Sequence, residues 1–388
     1  MILRVPREDL HQDLRAGVRA LCRDFPDPYW RDLDARREYP TAFVKALTDA
    51  GYLAALIPEE FGGSGLSLGE ASIILEEINR SGANSGACHA QMYTMGTLLR
   101  HGSDAQKREY LPKIASGELR LQAFAVTEPN VGSDTTQIQT RAKKVDGGYS
   151  VSGQKIWTSR AEHSDLMVLL ARTTPIDEVT KRTQGLSTFL VDMRTAGDAL
   201  TITPIKTMIN HSTTELFFDE LFVPEDALIG TEGNGFRQIL DGMNAERILI
   251  AAECIGDGRF FVEKASAYAG EREVFGRPIG ANQGVQFPIA RAYAAIQAAD
   301  LMRSKAAWLY EQEQPCGAEA NMAKLLASEA SWQAANACMD TYGGFAFADE
   351  YDVERKFRET RLYITAPVAN NLILAYLGQN VLGMPRSY

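Results

Sequence analysis

Ala125-Val126-Thr127-Glu128-Pro129-Asn130-Val131-Gly132-Ser133-Asp134 is the stretch on which the reading of this chain turns. Asn130, Gly132 and Ser133 favour a turn that leaves backbone N–H groups and hydroxyls exposed. Such a loop binds the polar edge of a ring or a phosphate. An ordinary hairpin loop has the same composition, so the stretch gains meaning from its downstream neighbour. About two dozen residues on comes Gly153-Gln154-Lys155-Ile156-Trp157-Thr158-Ser159. A tryptophan beside two hydroxyls offers an aromatic wall and hydrogen bonds to a flat ligand, although a core tryptophan would fit the pattern too.

Outward from these segments, the chain changes periodicity twice. Up to about residue 116 apolar residues recur at helical spacing, most clearly over 41–56 and 67–79. Ser103 reads as a helix cap with Gln106 completing a capping box. From about 121 to 222 short strand-like runs alternate with turn residues, and Val145-Asp146-Gly147-Gly148-Tyr149 is a hairpin signal. Helical patterns return over 238–269, 284–311, 318–342 and 370–381, with small residues that permit close helix approach. The order helices, strands, helices predicts an α+β fold, mostly α. The expected domains are an N-terminal helical one (1–120), a middle β-barrel-like one (121–234) and a C-terminal four-helix bundle (235–388).

Composition narrows the function classes. The 388 residues carry a formal charge of −10, which argues against nucleic acid or an anionic membrane as the main partner. No apolar run approaches the roughly 20 residues of a membrane span. Residues 1–9 hold no apolar core of signal-peptide length. Cys22, Cys88, Cys254, Cys316 and Cys338 are scattered without CxxC spacing. That predicts neither a disulfide framework nor zinc, and a cytoplasmic location. His89, His101, His163 and His211 are not spaced as metal ligands, so no metal is expected.

Two further segments complete an ordered set: Arg272-Glu273-Val274-Phe275-Gly276-Arg277-Pro278-Ile279 followed by Gln283, and Tyr342-Gly343-Gly344-Phe345 followed by Glu350-Tyr351 and Glu354-Arg355. Over nearly the whole chain, the four together resemble the acyl-CoA dehydrogenases. The resemblance implies an FAD enzyme acting on an acyl-CoA. It implies that Val126 and Thr127 hydrogen-bond the pyrimidine side of the flavin, and that Ser133 lies where cofactor and thioester meet. Trp157 would flank the ring, and Ser159 would reach the flavin N5 region. Arg272, Phe275 and Gln283 would hold the diphosphate and adenine of a neighbouring subunit's FAD, with Asp340, Gly343 and Gly344 closing over it. Arginine suits a diphosphate because its fork binds such oxygens bidentately. Asp340 stands where relatives carry an amide, and a carboxylate is unfavourable beside a diphosphate. A shared FAD implies a homo-oligomer, usually a dimer of dimers, and the implied electron acceptor is an electron-transfer flavoprotein.

One position departs from the family pattern. Most relatives place a catalytic glutamate in a Tyr-Glu-Gly-Thr stretch, where this chain has Ala366, Pro367, Val368 and Ala369. A minority, the isovaleryl- and long-chain-type enzymes, place the base on a helix just before an arginine. Glu246 and Arg247 match those positions by resemblance. Met243, Leu249 and Ile250 lie three or four residues from Glu246 and share its helix face. A desolvated carboxylate suits a base. A surface glutamate paired with a cation is the competing reading. Arg247 would bind the CoA portion or support the loop; Glu128, Asp134 and Glu253 read as structural. Two other readings remain open at this point: a flavoprotein doing non-oxidising thioester chemistry such as desulfination, and a non-catalytic flavin-binding subunit. The small Ala366–Pro367 pair predicts tolerance of α- or β-branched or substituted acyl groups.

Overall fold

Residues 11–386 are described from a computed structural model of the chain; the N-terminal reading over 1–9 lies outside the described residues. Six helices come first: α1 (Gln12–Arg23), α2 (Asp27–Arg36), α3 (Thr41–Asp49), α4 (Leu68–Arg80), α5 (Gly86–His101) and α6 (Asp104–Ser116). The Ser103 hydroxyl accepts from the Gln106 N–H while the Gln106 side chain accepts from the Ser103 N–H, so the anticipated capping box starts α6. Ser67 and Glu70 start α4 in the same way. The helical pattern over 41–56 does not give one helix. α3 stops at Asp49, Gly51 takes a positive φ of 78°, and a 3-10 turn comes next over Tyr52–Ala54.

The strands come after: β1 (Leu121–Ala125), β2 (Arg141–Val145), β3 (Gly148–Ser159), β4 (Leu166–Arg172), β5 (Leu186–Asp192), β6 (Leu200–Pro204), β7 (Thr213–Pro224) and β8 (Leu228–Ile229). They form one sheet in the order β6-β7-β3-β2-β4-β5-β8, with β1 beside β4. β1 and β2 each run parallel to β4, and the other pairs are antiparallel. The predicted hairpin is the β2–β3 turn, with Val145 opposite Gly148 and Gly147 at φ 77°. The sheet buries Tyr149, Val151, Met167, Leu169, Phe189, Leu216 and Leu221 in one core.

The remaining elements are α7 (Gly235–Glu271), a two-stranded ribbon of β9 (Glu273–Val274) and β10 (Arg277–Pro278), α8 (Gln283–Glu311), α9 (Gly317–Tyr342), α10 (Val353–Arg361) and α11 (Asn370–Tyr376). α10 was not legible in the sequence. Its nine residues carry four arginines and lysines, and its buried face is itself charged: Lys356 reaches Asp257 at 2.6 Å and Glu359 at 2.8 Å. None of the described helices is long and apolar enough to cross a membrane. All five cysteines are free and buried.

By contact, the chain divides into two compact units. One comprises Met1–Arg36, Ser67–Ser85 and Asn244–Tyr388; the other comprises Arg37–Leu66 and Gly86–Met243. The first unit holds α1, α2, α4 and the helices from α7 onward; α8 packs on α9 and α4, and α10 on α9. The second holds α3, α5, α6 and the whole sheet. The division falls inside α7.

Candidate active site

The Ala125–Asp134 motif lies where β1 runs out. Two bonds pin this edge to β3: Lys155 Nζ donates to the Val126 carbonyl at 2.9 Å, and the Ile156 N–H donates to the Thr127 carbonyl at 2.9 Å. Glu128 and Val131 then exchange backbone hydrogen bonds around Pro129-Asn130, a tight turn that presents Gly132 and Ser133 to solvent. Glu128, read from the sequence as structural, ties this turn to Lys155 on β3 and to the 139–140 backbone. Its buried carboxylate accepts from Lys155 at 2.9 Å and from the N–H groups of Gln139 and Thr140 at 2.7 and 2.8 Å. Burial acts to raise this carboxyl, but the Lys155 ammonium and the two donors hold it below the usual range. Burial also pulls Lys155 down to about 8, against the attraction of Glu128. Asp134 accepts from the Thr136 hydroxyl, again a local structural role.

Trp157 sits in an irregular part of β3, where the register with β7 shifts between Lys155 and Thr158. Its φ is 62°, and the ring is 56% exposed. A large ring held outward in left-handed backbone costs about 1–2 kcal/mol and buries little. The structure thus supplies a flat apolar wall, not the core tryptophan that was the plain alternative. The two hydroxyls beside it part company. Thr158 is buried; Ser159 is half-buried and accepts from Asn210 Nδ2 at 2.8 Å. Gly153, earlier on the strand, has no room for a side chain, since a Cβ would fall 2.7 Å from the Thr140 Cα.

In the other unit, Glu246 lies on α7 with 8% of its surface exposed, flanked by buried Ala245, Ile248, Leu249 and Ile250. Met243, expected on the same apolar flank, belongs to the sheet unit and packs with Ile239, Val131 and Leu170. Arg247 Nη1 donates to Asn244 Oδ1 at 3.2 Å, and Arg247 Nε has no partner among the described residues. Burial lowers the Arg247 pKa, and the Glu246 carboxylate opposes that shift. The 366–369 segment is anchored through its main chain. Buried Lys324 on α9 donates to the Val368 carbonyl at 2.8 Å and to Asn370 Oδ1 at 2.8 Å. Ala366, Pro367 and Val368 offer no proton-accepting side chain.

The residues implied for the diphosphate and adenine lie on the surface of this same unit. Arg272, Phe275, Gln283, Asp340, Gly343 and Gly344 are all exposed. Phe275 is wholly exposed at φ 54°, in the turn between β9 and β10. Gly343 ends α9 at φ 58° and ψ −129°, a conformation open to glycine alone, and nothing lies within 4 Å of where a Cβ would stand at 343 or 344. Taken separately, each set suits one part of FAD: in the sheet unit an exposed aromatic wall and a hydroxyl suit a flat ring, and in the helical unit an exposed arginine with bare backbone suits phosphates. Among the described residues no group of three His, Cys, Asp or Glu is placed to hold a metal. His163 stacks on Tyr39 at 4.1 Å, and buried His89 packs against Tyr93 at 5.0 Å.

The sequence reading missed two residues of the sheet site. Lys155 lay inside a quoted motif, yet a lysine between Gln and Ile gives no sign of being buried. Asn210 lies in the loop before β7, and no pattern there marked it.

Comparison with known proteins finds relatives over nearly the whole chain. Family models describe residues 8–118 as the N-terminal, 123–221 as the middle and 233–366 as the C-terminal domain of acyl-CoA dehydrogenases. The acyl-CoA dehydrogenase FadE12 of Mycobacterium tuberculosis is 32% identical over 380 residues, covering 97% of each chain. The mitochondrial short-chain specific acyl-CoA dehydrogenase of Bos taurus is 33% identical over 353 residues, 89% of this chain and 84% of the relative. The solved complex of glutaryl-coenzyme A dehydrogenase with glutaryl-CoA superposes with a TM-score of 0.90 at 29% identity, covering 98% of this chain and 97% of that one. The chain belongs to the acyl-CoA dehydrogenases, FAD-dependent oxidoreductases.

Proposed function

We propose that this chain oxidises an acyl-CoA thioester between Cα and Cβ to the trans-2-enoyl-CoA, with Glu246 taking the α-proton. The observation that carries the reading is a pair: a carboxylate 8% exposed on α7, and a proline at 367 where most relatives carry their base. FAD, when bound, supplies the hydride acceptor at N5. Glu246 removes the α-proton as the β-hydride leaves, so the substrate loses one proton and one hydride. When FAD is bound, Trp157 would cover the ring, Ser159 would donate toward N5, and Val126 and Thr127 would meet the pyrimidine edge. Ser133 stands at the junction of ring and thioester. Arg247 serves the CoA portion or steadies the 366–369 segment. Arg272, Phe275, Gln283, Asp340, Gly343 and Gly344 serve the FAD of a second subunit in a homo-oligomer. Asp340 is the weakest of these, because its carboxylate would face phosphate. An electron-transfer flavoprotein is the proposed acceptor.

The test is anaerobic bleaching of the bound flavin by a panel of acyl-CoAs, straight, branched, cyclic and dicarboxylic. The small Ala366–Pro367 pair favours α- or β-branched or substituted acyl groups, and turnover of straight chains alone would defeat that part. Glu246→Gln is expected to retain FAD and slow bleaching by about 10²–10⁴-fold. Full-rate bleaching by that variant removes Glu246 from its role. A desulfinating or non-catalytic flavoprotein would leave the flavin oxidised with every member of the panel.

A further inference from the structure

Ser159 can serve a flavin ring only if its single hydrogen points outward. A serine hydroxyl carries one hydrogen and two lone pairs, and it rotates to suit its neighbours. The neighbour here is Asn210, whose Nδ2 donates to Ser159 Oγ at 2.8 Å. That bond occupies a lone pair and leaves the hydrogen to be given elsewhere. We propose that Asn210 is a positioning residue that keeps the Ser159 hydroxyl a donor toward the flavin N5; the inference rests on the flavin site proposed above.

The loop that carries Asn210 is held against the end of β3. Asn210 adopts φ 57°, a left-handed conformation that asparagine tolerates better than most residues. Its carbonyl accepts from the Thr213 N–H at 3.1 Å, the Thr213 hydroxyl at 2.6 Å and the Thr207 hydroxyl at 3.4 Å. One residue past Ser159, the Arg160 N–H donates to the Ser212 carbonyl at 2.6 Å, so both sides of the contact are tied. On the adjoining strand Ser159 pairs with Thr213 itself. The backbone at 210 is thus fixed by three donors, and the side chain is left with one task. Thr158 cannot substitute, because it is buried on the opposite face of the strand. A donor into Ser159 Oγ also polarises the O–H bond and strengthens what that bond gives onward. An asparagine turned over would do the reverse: its Oδ1 would take the serine hydrogen and leave N5 facing a lone pair.

The distinguishing substitution is Asn210→Asp, which keeps the shape and can only accept. The readout is the ¹⁵N resonance of N5 in oxidised, isotopically labelled FAD bound to the full chain, with flavin absorbance recording occupancy. Ser159→Ala is the reference for a lost donor and moves that resonance downfield. Asn210→Asp is expected to move it in the same direction by at least half as much, and Asn210→Ala by less. Acyl-CoA-driven bleaching slows about tenfold in Asn210→Asp. An N5 resonance in both Asn210 variants that coincides with wild type, while Ser159→Ala shifts, overturns the role of Asn210 and leaves the flavin site standing. An unmoved resonance in Ser159→Ala instead removes Ser159 from N5, and the site assignment fails with it. Should the aspartate disturb folding, Asn210→Ala alone decides between these outcomes.

Discussion

Replacing Lys155 with methionine tests how the 126–128 edge is held beside β3. Methionine keeps most of the side-chain length, so the change removes charge and donors and leaves no large cavity. Two groups lose a partner: the Glu128 carboxylate at 2.9 Å and the Val126 carbonyl at 2.9 Å. Breaking a buried ion pair from one side costs about 3–5 kcal/mol. Glu128 keeps the N–H groups of Gln139 and Thr140, which places the cost near the lower end. The Val126 carbonyl is only half-buried and regains part of its loss from water. The sum is about 3 kcal/mol. The assay is amide hydrogen exchange at Ile156, whose N–H donates to the Thr127 carbonyl across the same edge. Its protection should fall by about a hundredfold, while amides of β4 and β5 change little. A double-mutant cycle with Glu128→Gln should return a coupling above about 1.5 kcal/mol. Unchanged protection at Ile156, or strictly additive effects of the two substitutions, would refute the claim that this pair holds the edge.

The same geometry gives two further outcomes. Burial takes Lys324 down to about 8, with Arg247 adding to the fall and Cys254 opposing it, whereas the unfolded chain holds that proton to about pH 10.5. Between pH 8 and 10.5 the unfolded state therefore binds more protons, so stability rises with pH by up to about 1.4 kcal/mol per unit. Lys324→Gln should lack that rise in unfolding midpoints measured across the window, and parallel curves for the two proteins would count against it. Trp157→Gly removes an exposed ring from a left-handed backbone position. It should empty the protein of FAD without lowering the thermal midpoint of the apo chain, and a drop of more than a few degrees would mean the ring is packed after all.

The sequence made the helix–strand–helix order legible because the periodicities are strong and the caps are local. Ser103 with Gln106 and the turn at Asp146-Gly147 each act within a few residues, so their sequence signal survives any tertiary arrangement. α10 failed for the opposite reason. Its buried face is charged and is satisfied by Asp257 on α7, a partner 99 residues away along the chain, which no hydrophobic pattern can announce. At the candidate site the exposed residues were visible, since a bare arginine, glycine pair or tryptophan in a motif is informative as it stands. The supporting residues were not. Lys155 and Asn210 act through side chains that bridge one segment to another, and only the register of β3 with its neighbours brings those segments together. The 41–56 pattern also misled, because a single glycine at 51 outweighed the apolar spacing on either side.

The grip of Lys324 on the Val368 carbonyl has a consequence for variation in this enzyme. A tether made to the main chain does not read which amino acid is tethered. Residues 366–368 are therefore free to drift in size and polarity with their stretch still moored. If Glu246 on α7 takes the proton as proposed, this is the stretch in which a change of acyl specificity would leave the chemistry untouched.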